Sequence, residues 1–309
     1  MDLKGRVVRS TGSWYEVELR KNGSRDVIDC RLPGRFRLEE EKTTNPVAVG
    51  DYVTISINED GTGTIDKIHE RENYIIRKST HGKEEYQVLA ANVDRGFAVQ
   101  SIRKPKFKQI FVDRFLVTCE AYEVEPCIII NKMDLADEKD RRRVEYIKDI
   151  YEPLGYLVLT TSIYDTDSLQ ALEEELEGYT SVLVGHSGVG KTSLLNKIDP
   201  GIDRPVGEVS SYSEKGIHTT TFAKLLRMEN GGYIVDTPGI KELGLVEIEP
   251  WELSLFFPEM LEPRQHCKFN NCTHSHEPGC GVIEAVEREE ISPERYESYL
   301  QILDTLKNN

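Results

Sequence analysis

Gly185-His186-Ser187-Gly188-Val189-Gly190-Lys191-Thr192 matches G-x-x-x-x-G-K-[ST] at every fixed position. It lies between the apolar run Ser181–Val184 and a stretch that reads as a helix from about Lys191, the strand–loop–helix setting this motif needs. Glycines let such a loop curl until successive backbone N–H groups, here from Ser187 to Ser193, point at phosphate oxygens, and the helix N-terminus adds partial positive charge. Lys191 would then reach the β- and γ-phosphates, and the Thr192 hydroxyl would hold Mg2+. Asp236-Thr237-Pro238-Gly239 follows the apolar run Tyr233-Ile234-Val235. A carboxylate at the end of a buried strand can hold magnesium through water, and the Gly239 N–H can reach the γ-phosphate.

A second constellation concerns the base. Asn131-Lys132-Met133-Asp134 closes the run Cys127–Ile130. The Asp134 carboxylate can accept hydrogen bonds from N1–H and the 2-amino group of guanine; adenine offers neither donor there, so such a site rejects it. The Lys132 stem can lie over the base, and Asn131 can brace the loop. Thr161-Ser162, after Leu157–Thr160, would supply a backbone N–H to guanine O6. In ordinary small GTPases the phosphate loop comes first and the guanine elements last. Here residues 131–134 and 161–162 precede 185–192, so the order is circularly permuted. Permutation changes which strands are covalently joined and not which lie adjacent. The chain beyond the switch then runs into whatever follows residue 242, a route by which switch motion would reach the C-terminal region.

Two further groups carry chemistry. Ile240 follows Gly239 where Ras-like enzymes place a water-orienting Gln, and Ile cannot do that work. His218, in Gly216-Ile217-His218-Thr219-Thr220, lies where the first switch belongs; it either polarises water or is a solvated loop histidine. Thr219 or Thr220 would complete the magnesium shell. Near the C-terminus, Cys267-x4-Cys272-x-His274-x5-Cys280 offers three thiolates and an imidazole, a closed tetrahedral set suited to structural zinc. His266 and His276 stand at similar spacing, and the residues alone leave the choice of imidazole open. Cys30, Cys119 and Cys127 are scattered and read as core or surface thiols.

These groups need elements to hold them. Residues 1–70 read as about five short strands: Tyr15, Val17 and Leu19 alternate with polar neighbours, as do Val53, Ile55 and Ile57, with turns at Gly12, Asn22-Gly23, Pro33-Gly34, Gly50-Asp51 and Asp60-Gly61. A small β-barrel follows, of OB or SH3-like type. Glu39–Glu41 and Thr43–Pro46 read as a solvated loop. Over 71–241, apolar runs at Gly96–Gln100, Cys127–Ile130, Leu157–Thr160, Ser181–Val184 and Tyr233–Val235 alternate with helical stretches near Phe111–Tyr122, Glu138–Tyr151 and Ser168–Glu177. That alternation predicts a mainly parallel sheet covered on both faces. Residues 242–309 lack strands; Ser292-Pro293 starts a helix with Tyr296, Tyr299, Leu300, Leu303 and Leu306 on one face.

With 309 residues, 38% hydrophobic and 30% charged, the chain is long enough for two or three folded domains. No run approaches the roughly 20 apolar residues of a membrane span, and Met1–Arg6 has no apolar run after its charges, so a cytoplasmic protein is expected. The net charge of −15 argues against generic nucleic-acid binding, and no DNA partner is expected. Charge is uneven, however: residues 1–37 carry nine Lys/Arg against five Asp/Glu, and Arg103, Lys104, Lys106 and Lys108 crowd one stretch. An RNA partner fits those local faces, although Arg103–Lys108 is equally readable as solvated.

Together, the permuted order, barrel-like N-terminus and C-terminal Cys/His cluster resemble the bacterial ribosome small-subunit-dependent GTPase A (RsgA) family over essentially the whole chain. The most specific signs are Gly185–Thr192 with Ser193-Leu194-Leu195-Asn196, His218-Thr219-Thr220-Thr221, Asp236–Gly239 and Cys267–Cys280. The resemblance implies a multi-domain chain: an OB-fold (1–70), a central α/β Ras-like circularly permuted GTPase domain (71–241) and a helical zinc-binding domain (242–309). It selects His274 as the fourth zinc ligand and favours His218 in hydrolysis alongside Lys191. It also implies GTP hydrolysis to GDP in late maturation of the 30S subunit, with 16S rRNA and ribosomal proteins as partners, one structural Zn2+, Mg2+ with the nucleotide, and a monomer. Two other readings share the motifs: a permuted GTPase acting on another RNA such as tRNA, and a non-hydrolysing RNA-binding scaffold that keeps GTP as a structural ligand. An ATP-dependent kinase is disfavoured by Asp134.

Overall fold

Alternating apolar residues build the N-terminal barrel from five strands: β1 (Leu3–Ser10), β2 (Tyr15–Lys21), β3 (Ser24–Arg31), β4 (Tyr52–Ile57) and β5 (Gly63–Ile68). The strands run in the order β1-β2-β3-β5-β4, and β1 pairs with β4 to close the barrel. β3 and β5 are parallel and every other barrel pair is antiparallel, which is the OB arrangement. Closure leaves no free edge in the barrel. Val7, Tyr15, Val17, Leu19, Cys30, Val47, Val53, Ile55 and Ile65 fill its core, each large aliphatic side chain contributing about 1.5–3 kcal/mol by leaving water. Ile57, at the end of β4, is exposed instead.

The coordinates are a computed structural model in which residues 3–21, 24–34, 45–78, 86–202, 223–236 and 248–307 are described. Residues 39–44 of the expected acidic loop, the junction near 241, and Thr237–Ile240 lie outside the described residues. Asn45, expected in a solvated loop, instead clamps Val88, donating to its carbonyl at 2.8 Å and accepting from its N–H at 2.9 Å. The chain divides into two units: Met1–Gly96, Glu173–Val184 and Thr192–Gly244; and Phe97–Leu172, Gly185–Lys191 and Leu245–Asn309.

In the first unit the barrel sheet does not stop at β1. β12 (Ala223–Arg227) pairs antiparallel with β1 through Arg9↔Lys224 and Ser10↔Ala223, then antiparallel with β13 (Tyr233–Asp236), which lies parallel to β11 (Thr180–Val184). The Tyr233 hydroxyl donates to Glu18 of β2 at 2.5 Å. A hairpin of β6 (Tyr74–Lys78) and β7 (Tyr86–Ala91) completes the unit's strands among the described residues. Arg71 locks the barrel's approach to β4 by a two-pronged bond to the fully buried Asp51, at 2.7 and 2.8 Å.

In the second unit β8 (Arg95–Ser101), β9 (Glu125–Asn131) and β10 (Leu157–Thr161) form a sheet in the order β10-β9-β8. β9 and β10 are parallel with Asn131 level with Thr161. The apolar run Cys127–Ile130 is fully buried, as expected of a strand covered on both faces. Helix α1 (Gln109–Ala121) follows β8, and α2 (Glu138–Tyr151) follows β9. α2 starts at a capping box: Asp137 accepts from the Asp140 N–H and Asp140 accepts from the Asp137 N–H. In chain order, α3 (Thr166–Leu176) and α4 (Lys191–Ile198) each begin in this unit and end in the first.

The C-terminal segment has its own core among short 3₁₀ turns, α5 (Gly281–Glu287) and α6 (Pro293–Lys307). Leu253, Phe257, Met260, Val282, Ile291, Tyr299, Ile302 and Leu303 pack there, joined by Val117 of α1. Arg295 of α6 is buried and holds Asp113 of α1 at 2.6 Å and Glu259 at 2.6 and 3.0 Å. A buried cation is tolerated because two carboxylates and the Tyr151 hydroxyl, 2.6 Å from Asp113, complete the network.

Candidate functional site

The phosphate loop and the guanine motif meet within the second unit. Gly190 has φ +100°, and a Cβ there would stand 2.4 Å from the Asn131 amide nitrogen. Only glycine combines that left-handed backbone with that approach. A Cβ on Gly185 would lie 2.2 Å from the Val99 carbonyl oxygen of β8. Asn131 uses the closeness: its Nδ2 donates to the Val189 carbonyl at 2.8 Å, and its Oδ1 accepts from the Thr161 hydroxyl at 3.0 Å. One buried amide thereby joins three segments separated in sequence by up to 58 residues.

Lys132 sits in the left-handed region at φ 64° and donates to the Gly188 carbonyl and, at 2.7 Å, to the Lys104 carbonyl. Met133 and Asp134 begin a short 3₁₀ turn. Asp134 is exposed, and its carboxylate accepts from the Ser162 hydroxyl at 2.7 Å. Ser162 is otherwise buried, so it fixes the carboxylate's direction while leaving acceptor capacity facing outward. Lys191, 9% exposed, donates to the carbonyls of Gly185 at 2.7 Å and His186 at 3.1 Å, so its charge lies within the loop it serves. Burial, with Lys108 and Lys191 nearby, lowers the His186 imidazole below its usual range, and its ring packs 4.7 Å from Phe111 of α1.

Other expected residues fall where the elements put them. Ser187 and Gly188 are exposed loop positions, Val189 is buried, Thr192 is buried in the first turn of α4 and Ser193 is half-buried beside it. Asp236 closes β13. His218, Thr219, Thr220 and Gly239 lie outside the described residues.

The cysteine cluster is tightly drawn. One ligand atom from each of Cys267, Cys272, His274 and Cys280 lies within 4.8 Å of the others. His274 Nδ1 is 3.4 Å from Cys267 Sγ and 3.3 Å from Cys280 Sγ, and the two sulfurs are 3.8 Å apart. A tetrahedral zinc with Zn–S of about 2.3 Å and Zn–N of about 2.0–2.1 Å separates its ligand atoms by about 3.5–3.8 Å, so these residues fit that ion. Burial lowers His274 to about 4, keeping the imidazole neutral as a ligand must be, and pushes the Cys272 thiol up to about 12, which a divalent cation would reverse. His266 instead pairs with Glu262 at 2.8 Å, and His276 Nδ1 meets the Ser275 hydroxyl at 2.8 Å, both in exposed positions. Glu277 braces the ligand turn: burial opposes its charge, but hydrogen bonds from Thr273, His276 and Ser275 hold its carboxyl well below the usual carboxylate range. Tyr296 and Tyr299 of α6 donate to the His274 and Thr273 carbonyls at 2.7 and 2.8 Å.

Ser254 was not legible as part of this centre, since it lies 20 residues from His274 and outside any spacing pattern. Its buried hydroxyl is 3.1 Å from His274 Nε2, on the ring edge opposite the sulfurs. Such a partner fixes which imidazole nitrogen faces a metal. Ser254→Ala should therefore weaken zinc binding about 10- to 100-fold in a chelator competition; an unaltered zinc affinity would remove Ser254 from that role.

Comparison with known proteins gives the same outline. A profile of the RsgA GTPase family matches residues 68–246 and one of the RsgA N-terminal domain matches residues 4–65. The small ribosomal subunit biogenesis GTPase RsgA of Phocaeicola vulgatus is 44% identical over 302 residues, covering 98% of this chain and 96% of its own. The crystal structure of YjeQ from Thermotoga maritima superposes with a TM-score of 0.81 at 37% identity, covering all of both chains. YloQ, described as a circularly permuted GTPase, gives a TM-score of 0.78 at 33% identity, covering 100% of this chain and 96% of its own. With motifs, fold and relatives in agreement over nearly its full length, this chain belongs to the RsgA family of circularly permuted GTPases.

Proposed function

We propose that this protein hydrolyses GTP to GDP and phosphate during late maturation of the 30S ribosomal subunit, and that the subunit stimulates the reaction. The observation that carries the reading is the Asn131 amide bonded at 2.8 Å to the phosphate loop, which makes the guanine motif and the phosphate loop one site despite their reversed order. Asp134, aimed by Ser162, reads N1–H and the 2-amino group of guanine; the Thr161-Ser162 backbone serves O6; Lys132 covers the base. The loop Gly185–Ser193 wraps the phosphates, Lys191 and the Gly239 N–H neutralise charge on the transferring group, and Thr192, Asp236 and Thr219 or Thr220 hold Mg2+. Zinc at Cys267, Cys272, His274 and Cys280 leaves no open position for chemistry and serves to hold the C-terminal fold. The relatives' names speak of small-subunit biogenesis, which supports 16S rRNA and ribosomal proteins as the surface gripped.

With Ile240 unable to orient water, His218 is the side chain we assign to that task, brought into place on the ribosome. Turnover should be slow alone, rise strongly with purified 30S subunits, and ignore free tRNA. Stimulation by tRNA, or none by 30S subunits, would redirect the proposal to another RNA. His218→Ala should keep GTP affinity but lower the 30S-stimulated rate by about 100-fold or more; unchanged stimulated turnover in that variant would exclude His218.

A further inference from the structure

The four basic residues between Arg103 and Lys108 read in the sequence as either an RNA contact or a solvated loop. All four side chains are exposed, but the Arg103 guanidinium and the loop's backbone are engaged by neighbouring motifs. Arg103 forms ion pairs with both Asp137 and Asp140, the two carboxylates of the capping box that starts α2 directly after Asn131–Asp134. Its neighbour Lys104 presents a carbonyl that accepts from the Lys132 ammonium at 2.7 Å, while the Gly188 carbonyl of the phosphate loop takes the same ammonium. At the far end of the loop, Phe111 in the first turn of α1 packs 4.7 Å from the His186 ring. The loop is itself pinned, its Lys104 and Lys108 N–H groups donating to Ser101 at 3.2 Å and to Gln100 at 3.3 Å, two buried side chains at the end of β8.

We infer that the loop from Ile102 to Lys108 is a strut of the guanine-nucleotide site, and that Arg103 is a positioning residue for Lys132 and Asp134. The loop ties the guanine motif to the phosphate loop from the outer side, as Asn131 does from the inner side. Its guanidinium neutralises two carboxylates that would otherwise repel each other beside the guanine reader. The Lys104 carbonyl sets the height of the Lys132 ammonium, and with it the plane in which the Lys132 stem meets the base. This inference rests on the reading of residues 131–134 as the guanine motif.

The test uses the full-length, zinc-loaded protein and three variants: Arg103→Ala, Arg103→Lys and Asp134→Asn. Arg103 is about two-fifths exposed, so its removal leaves the fold intact and the effect is moderate. Arg103→Ala should weaken fluorescent GDP binding about three- to tenfold, through faster dissociation, and raise KM for GTP with kcat unchanged. Arg103→Lys should restore part of the loss, which a purely steric role would not do. Binding of the GTP-saturated variant to 30S subunits should keep the wild-type affinity and salt dependence. Unchanged GDP affinity in Arg103→Ala would overturn the inference. So would weaker 30S binding with a salt slope reduced by about one, the signature of a lost phosphate contact. If Asp134→Asn loses GTP while Arg103→Ala does not, the strut fails and the guanine assignment stands; if Asp134→Asn has no effect, that assignment fails first.

Discussion

The Asp134→Asn variant is expected to lose GTP affinity by about a thousandfold and to bind xanthosine triphosphate instead, moving the preference between the two nucleotides by about 10⁴–10⁵. The size of the effect follows from geometry and charge. The Asp134 carboxylate accepts from Ser162 at 2.7 Å, so one oxygen is held in place and the group's remaining acceptor capacity is aimed outward. Two charge-assisted hydrogen bonds to guanine are worth about 1.5–3 kcal/mol each. An Asn amide in the same place still accepts from Ser162 through its oxygen but turns an N–H₂ outward, facing the guanine 2-amino group as a second donor. Xanthine carries a carbonyl there and becomes the matched base. Fluorescence titration with both nucleotides measures the switch. Equal GTP affinity in wild type and variant would show that Asp134 does not face the base.

The second large effect concerns the Cys3His centre. Replacing Cys280 by Ser, or stripping metal with a strong chelator, should expose the core of residues 248–307 while the barrel stays protected. Structural zinc contributes about 10–16 kcal/mol of apparent binding free energy at neutral pH, as much as the whole stability of a typical domain. The stretch that carries the ligands has little else to hold it: residues 253–266 are short 3₁₀ turns, and Cys267, His274 and Cys280 bring their ligand atoms to 3.3–3.8 Å of one another. Cys280 is doubly placed, since its sulfur also accepts from the Ile283 N–H and caps α5. Hydrogen-exchange mass spectrometry resolves the two regions. The barrel, whose core is built from residues 7–65, should keep its slow exchange. Unchanged protection of residues 248–307 after verified metal loss would contradict a structural role for zinc.

Much of this architecture was legible because its signals are local. The barrel strands follow from period-two alternation at Tyr15–Leu19 and Val53–Ile55, and α2 spans the helical stretch expected at Glu138–Tyr151. The phosphate-loop match, the Asn131–Asp134 motif and the Cys/His spacing each lie within fifteen or fewer residues. What stayed hidden depends on encounters between distant segments. Arg295, Asp113 and Glu259 belong to no sequence motif, yet they form one buried network across 182 residues. Ser254 has no neighbour in sequence that points to His274. The pairing of β12 with β1, which extends the barrel's sheet, leaves no trace in the short run Ala223–Arg227. Nor does a cluster of Lys and Arg reveal that Arg103 is neutralised by Asp137 and Asp140. Periodicity reports which face of an element is buried; it does not report what that face meets.

A crystal structure of the protein with magnesium and a non-hydrolysable GTP analogue should hold a single nucleotide, with the Asp134 carboxylate on N1 and the 2-amino group and the Lys191 ammonium on the β- and γ-phosphates. A nucleotide bound at one of these residues and not the other, or in a cavity that neither lines, would contradict that arrangement.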